Sequence, residues 1–256
     1  MTSRSELVEQ LRTLGVERGG VLAVHTAFSE VRPVEGGPHG LIEALLETIG
    51  PEGTLVMPSM SDDDDRPFDV ATTPCIGVGI VAETFRQMPG VLRSDNPHAF
   101  AAIGPHAAAI TAPHPLEVPH GPDSPPGRLP NLHAQILLLG VGHDANTTIH
   151  VAENLAGVRY RQQYHVTIDR DGEWQRFEYG EVDHCCENFA KMDAWLDAGG
   201  KQRYGRVGQA EARLMRARDL ISIASSHLAE DELVFLHASD CDECAAARAS
   251  LLLAHE

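Results

Sequence analysis

The sequence predicts an α/β fold, and three observations carry that reading. Short, wholly apolar runs at residues 21–24 (VLAV), 54–57 (TLVM, before Pro58) and 136–139 (ILLL) have the length of buried strands, and the last is closed at once by Gly140 and Gly142. Around them lie stretches with the i, i+3/i+4, i+7 apolar spacing of amphipathic helices. The runs at 21–24 and 136–139 also lead into histidine, small hydroxyl residues and a loop. In α/β proteins such strand ends are where ligands bind.

In chain order, residues 5–14 (SELVEQLRTL) read as a helix capped by Ser5 and closed by Gly15. The strand at 21–24 ends in His25, Thr26, Ala27, Phe28 and Ser29, whose backbone N–H groups and hydroxyls suit a phosphate or a carbonyl. A helix follows at 40–48, stopped by Gly50–Pro51, then the strand at 54–58 and a run of four aspartates, residues 62–65. Such a run is ordinarily a solvated loop, but this one follows a buried strand and so borders the same strand ends. Residues 81–85 are helical, 100–103 form a strand, and 104–111 a short helix. Residues 113–130, rich in Pro, Gly and His, form a long loop within the domain. Polar–apolar alternation at 164–168 and 174–179, around Asp169–Arg170–Asp171–Gly172, predicts a hairpin. Helices are expected up to Leu196 and across 210–228, a last strand at 233–236 (LVFL), and a helix after Cys241–Asp242–Glu243–Cys244.

The totals bound the function. The chain has 256 residues and 43% apolar content, with no repeats and no clean domain boundary, so residues 1–256 read as one domain. Against 20 Lys and Arg stand 37 Asp and Glu, a net charge of −17. This argues against nucleic acid or an anionic membrane as partner and suits a cationic ligand, although solubility alone also favours acidic chains. No stretch approaches the ~20 apolar residues of a membrane span, and MTSRSELVEQL lacks a signal-peptide core, so a cytoplasmic location is expected.

The central stretch is residues 136–153, ILLLGVGHDANTTIHVAE. His150 and Glu153 stand i and i+3, sharing one helix face, so the carboxylate is placed to orient the imidazole. A His held in this way is the usual apparatus for removing a proton near neutral pH; a solvated helix start is the alternative. The five cysteines, Cys75, Cys185, Cys186, Cys241 and Cys244, read as thiols or metal ligands rather than disulfides. Cys241-x-x-Cys244 with the His184–Cys185–Cys186 group offers a closed tetrahedral set for structural zinc. The expected ligands are His184, Cys186, Cys241 and Cys244, with Cys185 and His237 as substitutes; reduced cysteines without metal are the alternative.

Four segments, VHTAFSEVRPVEGGPHGLIEALLETIGPEGTLVMPS, RSDNPHAFAAIGPHA, LLLGVGHDANTTIHVAE and EVDHCCENF, resemble in order and spacing the aminoglycoside 3-N-acetyltransferases of the antibiotic N-acetyltransferase family. The closest likeness is to the type IV branch, which acts on apramycin, gentamicin and tobramycin, and it runs from about residue 7 to the CxxC tail. The resemblance implies a central mixed sheet flanked by helices, distinct from the GNAT-type fold. In agreement, no Q/R-x-x-G-x-G/A signature is found. It implies His150 as catalytic base with Glu153 behind it, and His25, Thr26, Ser29, Arg93 and Ser94 against acetyl-coenzyme A. It implies Asp64, Glu181 and Asp183 as partners of substrate ammonium groups. In Arg93–Ser94–Asp95–Asn96–Pro97, Asn96 stands where the family has His, and Asn carries no charge. Thr147, Thr148 or a backbone N–H of the 143–148 loop would face the developing oxyanion. The rival classes are a zinc hydrolase, which the lack of HExxH disfavours, and a non-catalytic binder of polycations. An acetyltransferase acting on a non-antibiotic amine is the third alternative.

Overall fold

The computed structural model describes residues 1–61, 63–238 and 240–253. The elements run α1 (Arg4–Leu14), β1 (Val21–Thr26), α2 (Phe28–Val31), α3 (Gly37–Ile49), β2 (Thr54–Pro58), α4 (Gly79–Arg86), β3 (Leu92–Arg93), β4 (Phe100–Ile103), α5 (Ala107–Ile110), α6 (Pro125–Arg128) and β5 (Gln135–Leu139). There follow α7 (Thr148–Ala156), β6 (Gln162–Arg170), β7 (Glu173–Glu181), α8 (Lys191–Ala198), β8 (Gln202–Val207), β9 (Ala210–Arg216), α9 (Ala217–Glu230) and α10 (Asp242–Leu253).

Seven strands form one mixed sheet in the order β3-β4-β2-β1-β5-β9-β8. The three strands at its centre, β2, β1 and β5, are parallel, and the sheet continues on either side through antiparallel pairings. The expected mixed sheet flanked by helices is therefore present. The pleat divides each central strand between two cores. Leu22, Val24, Leu55, Leu137 and Leu139 face α1, α3 and α4, where they meet Leu11, Leu45 and Phe85. Val21, Ala23, Val56, Ile136 and Leu138 face α7, α8 and α9, with Ile149, Met192 and Leu220. Burial on both faces explains why these strands lack any polar alternation.

The parallel centre sends the chain exits of β1, β2 and β5 to one edge. Gly140 lets the chain leave β5 there, with φ +71°; a Cβ would lie 2.7 Å from Glu30 Cβ and 3.2 Å from the Ala27 carbonyl. The hairpin of β6 and β7 forms a separate two-stranded sheet, with Tyr164 opposite Tyr179.

Three expectations fail. Ser3, not Ser5, caps α1, in a capping box with Glu6. The helix expected across 210–228 is strand β9 followed by α9, and β8 was not foreseen. AEARLMR consists mostly of good helix formers, and its ladders with β5 and β8 make it extended. Residues 233–236 form a turn instead of a strand: Phe235 packs edge-on to Phe189, centroids 4.8 Å apart, and Leu236 N–H bonds back to Leu233 O.

Leu138→Ala empties a fully buried position on the central strand. It is expected to cost about 2–5 kcal/mol of stability, read as a lowered denaturant midpoint at unchanged slope.

Candidate active site

The site begins with a buried carboxylate. Glu153, on α7, is fully buried, and its two oxygens accept three hydrogen bonds. Oε2 takes one from His150 Nδ1 at 2.7 Å; Oε1 takes one from the Tyr160 hydroxyl at 2.7 Å and one from His184 Nε2 at 2.9 Å. Burial alone would raise this carboxyl, but the hydrogen bonds from His150 and His184 hold it down to about 2. With Nδ1 donating to Glu153, the Nε2 of His150 is the nitrogen left for chemistry. The His150 side chain keeps 13% exposure, and its ring packs against Phe189 with centroids 5.1 Å apart. Cys186 Sγ lies 3.5 Å from His150 Nε2, and its thiol has another acceptor in the His184 carbonyl oxygen at 3.2 Å.

Burial disfavours charge on His150, yet the Cys186 sulfur and the Glu153 carboxylate outweigh it and carry the ring well above its usual 6.5. His184 is wired at both nitrogens, since its Nδ1 accepts the Cys186 N–H at 3.1 Å. It orients Glu153 through the one proton its Nε2 donates.

His150 opens on a cleft of about 270 Å³ lined by Ser61, Asp64, His98, His120, His150, Tyr164, Tyr179 and the 181–183 segment. All three acids implied by the resemblance, Asp64, Glu181 and Asp183, meet here, and among the described residues no lysine or arginine lines it. Glu181 is nearly buried, and its Oε1 stands 3.7 Å from His120 Nδ1, an ion-pair rather than a hydrogen-bond distance. Burial opposes its charge, but His120, with His150 and His98 behind it, holds it down to about 2. Its Oε2 has no hydrogen-bond partner among the described residues. Asp183 accepts a hydrogen bond from the Tyr164 hydroxyl. His98, bonded through Nε2 to the Tyr179 hydroxyl at 2.7 Å, is pushed by burial, and then by His120, down to about 3. It is thus neutral at pH 7 and leaves the acidic field intact. Asp62, the first residue of the aspartate run, lies outside the described residues.

A second hollow, about 320 Å³, sits at the exits of the parallel strands. His25, Thr26, Ala27, Pro58, Val141, Ala145 and Thr147 line it, with residues 77–79 at the start of α4. His25 Nε2 and Thr26 Oγ1 are buried without a hydrogen-bond partner among the described residues. Burial, and then His143, pushes His25 down to about 4, so it too is neutral. Thr147 in this hollow and His150 in the cleft are one helical turn apart at the start of α7. Thr148 lines neither hollow, and its hydroxyl is buried without a hydrogen-bond partner among the described residues.

Other expected site residues lie elsewhere. Ser29 is exposed on α2 and donates to Glu30. Arg93 is consumed by the carbonyls of Ser59 and Thr73 and stacks over Phe68, 4.5 Å from the ring centroid. Ser94 is buried between His114 Nδ1 and Phe100 N–H. Arg93 thus braces the 59–76 segment and Ser94 ties residue 94 to Phe100 and His114, and neither lines the strand-end hollow. Asn96 does similar work, donating to Pro115 O and accepting from His98 N–H.

The metal set also separates. His184 is engaged with Glu153 and Cys186 faces His150, whereas Cys241 and Cys244 lie beside Cys185.

Sequence alone assigns no site role to His98, His120, Tyr160, Tyr164 or Tyr179, nor to His184 the place behind Glu153. Signals existed: His98, His114 and His120 each follow a proline, and Tyr164 and Tyr179 are paired through the hairpin register.

The site is thus a buried carboxylate–imidazole pair at the strand-end edge of a mixed α/β sheet, opening on an acidic cleft, an arrangement of the kind enzymes use. The aminoglycoside 3-N-acetyltransferase family model matches residues 23–229. Aminoglycoside N(3)-acetyltransferase IV of Salmonella sp is 53% identical over 235 residues, which cover 91% of this chain and 90% of that protein. The crystal structure of the aminoglycoside acetyltransferase AAC(3)-IVa apoenzyme superposes with a TM-score of 0.95 at 53% identity, covering 97% of both chains. A histidine-to-alanine mutant of AAC(3)-IVa in complex with a gentamicin matches with a TM-score of 0.94 at 52% identity, again over 97% of both. AAC-IIIb, solved as a binary complex with CoASH, matches with a TM-score of 0.82 at 28% identity, over 90% of this chain and 97% of that one. The chain belongs to the aminoglycoside 3-N-acetyltransferase family. Among the described residues no helix is long and apolar enough to cross a membrane.

The raised pKa of His150 can be read directly by NMR. The ring is expected to titrate above 6.5 in the free protein. In Glu153→Gln, where the carboxylate is gone and burial remains, its midpoint is expected to fall well below that of the parent. An unchanged midpoint in that variant would leave Cys186 alone as the neighbour that raises the ring.

Proposed function

We propose that this protein transfers the acetyl group of acetyl-coenzyme A to the 3-amino group of an aminoglycoside, with His150 as general base, and thereby confers resistance to such antibiotics. The observation that carries this reading is the buried Glu153–His150 pair opening on a cleft lined by carboxylates and, among the described residues, by no lysine or arginine. Its family gives the reaction class, and the complexes of its relatives with gentamicin and CoASH support the two substrates.

An aminoglycoside carries several ammonium groups, and the reacting nitrogen must be neutral to attack a thioester. As the 3-amine attacks, its new C–N bond forms while the C–S bond breaks. In the form that has lost its own Nε2 proton, which the raised pKa favours toward alkaline pH, His150 Nε2 accepts the proton that the nitrogen sheds and returns it to the departing thiolate. Glu153 keeps Nδ1 protonated and stabilises the imidazolium that forms, while Tyr160 and His184 keep Glu153 in place. Thr147 and the backbone N–H groups at the start of α7 are the donors available to the developing oxyanion. The strand-end hollow, with the unpartnered His25 Nε2 and Thr26 Oγ1, suits the acyl-bearing arm of the coenzyme. Holding both reactants across one helix start lowers the barrier by about 7–11 kcal/mol at the favourable limit.

Asp64, Glu181 and Asp183 bind and orient the ammonium groups that do not react. A charge-assisted hydrogen bond of this kind is worth about 1.5–3 kcal/mol. Neutral His98 lines the same cleft without repelling the polycation.

The test is release of coenzyme A thiol from acetyl-coenzyme A with apramycin, gentamicin and simple polyamines. His150→Ala is expected to lower kcat roughly 10²–10⁴-fold with KM little changed. Asp183→Asn is expected to raise KM for the drug by about 10–150-fold, with kcat affected far less. Drug binding without any thiol release would leave only the non-catalytic binder, and turnover confined to the simple polyamines would exclude the aminoglycoside as substrate.

A further inference from the structure

The cysteines that the catalytic site leaves aside are gathered around one sulfur. Cys185 Sγ, in the turn after β7, lies 3.6 Å from Cys244 Sγ on α10. Cys185, His237 and Cys241 also bring a sulfur or ring nitrogen within 4.8 Å of one another. No disulfide joins any of them. We propose that Cys185, His237, Cys241 and Cys244 form a structural zinc site, independent of the acyl-transfer reading.

The spacing favours a metal over a bridge. A disulfide holds its sulfurs about 2.05 Å apart. A tetrahedral zinc ion with ligands at about 2.0–2.3 Å sets neighbouring ligand atoms roughly 3.4–3.8 Å apart. The Cys185–Cys244 separation falls in the second range, and His237 and Cys241 each have a ligand atom within 4.8 Å of the same Cys185 sulfur. Three thiolates and one imidazole form a soft donor set that selects zinc over magnesium or calcium, and four protein ligands leave no open position for catalysis.

The choice of ligands follows from what their neighbours do. His184 has a ring nitrogen in the same neighbourhood, but its two nitrogens are spent on Glu153 and the Cys186 N–H. Cys186 faces His150. Cys241 and Cys244 bracket the first turn of α10, where the Ala245 N–H bonds to the Cys241 carbonyl, so the CxxC spacing puts both thiols on one side. Cys244 is fully buried while Cys185, His237 and Cys241 are half-buried, which closes the centre without sealing the route by which an ion enters.

The site would fasten α10 to the segment that carries Glu181, Asp183, His184 and Cys186. Apart from it, α10 is tied by Arg248 to the His237 carbonyl and by Ser250 to the Arg161 N–H. Zinc would add a bond between the tail of the chain and the acidic wall of the cleft.

The test is elemental analysis and zinc-edge X-ray absorption on the full chain, purified without chelator and without a metal-affinity step. About one zinc per chain is expected, in a shell of three sulfurs and one nitrogen. Cys241→Ala/Cys244→Ala is expected to lose at least tenfold in bound zinc, whereas Cys186→Ala keeps it. If the double variant does not fold, the absorption shell of the parent protein decides. Zinc below a tenth of stoichiometry after incubation with zinc sulfate and a reductant would overturn the proposal. So would a shell without sulfur, or loss of the metal in Cys186→Ala.

Discussion

Everything in the site depends on one fully buried carboxylate that is completely satisfied. Glu153 sits where an unpaired charge would be costly, and three donors from three segments make it tenable: His150 on its own helix, Tyr160 after that helix, and His184 after the hairpin. The arrangement holds both ways. The donors keep the carboxylate ionised, and the carboxylate fixes the tautomer of His150 and the position of His184. Removing any one donor leaves a buried oxygen short of a partner, so the network sets the rigidity of the cleft as well as its chemistry.

The sheet makes this geometry possible. Because β2, β1 and β5 run parallel, their exits collect at one edge, and the chain must leave each of them through a loop there. The loop after β5 leads directly into α7, which puts His150 in the first turn of a helix whose start borders the strand-end hollow. The antiparallel pairings of β9 and β8 extend the sheet beyond β5, and α8 and α9 cover the face against which α7 packs. The hairpin then brings Glu181, Asp183, Tyr164 and Tyr179 across the opening from outside the main sheet.

Charge in the cleft is managed by burial as much as by composition. Imidazoles line both hollows, and protonating them would cancel the field of Asp64, Glu181 and Asp183. Burial keeps His98 and His25 neutral at ordinary pH, while His150 is carried upward by the Cys186 sulfur and the Glu153 carboxylate. The same side chain thus stays neutral at two positions and has its pKa raised at a third, distinguished only by what lies within a few ångströms.

Much of the fold was legible in the chain itself. Runs such as ILLL and VLAV name buried strands because no polar residue interrupts them, and i,i+3 spacing alone put His150 and Glu153 on one helix face. The acidic total foretold a cleft suited to cations. What sequence could not decide was partnership. AEARLMR favours a helix locally and is a strand because β5 and β8 offer it ladders. Arg93 and Ser94 stand in a motif yet turn inward, toward carbonyls and a histidine remote in sequence. The His184–Cys185–Cys186 triplet is divided, its first and third members meeting Glu153 and His150 and its middle one facing Cys244. Adjacent residues can point in different directions, and each finds donors and acceptors supplied by segments scores of residues away. Local pattern therefore determined the elements and the His–Glu pair, whereas long-range packing alone chose which polar groups would meet.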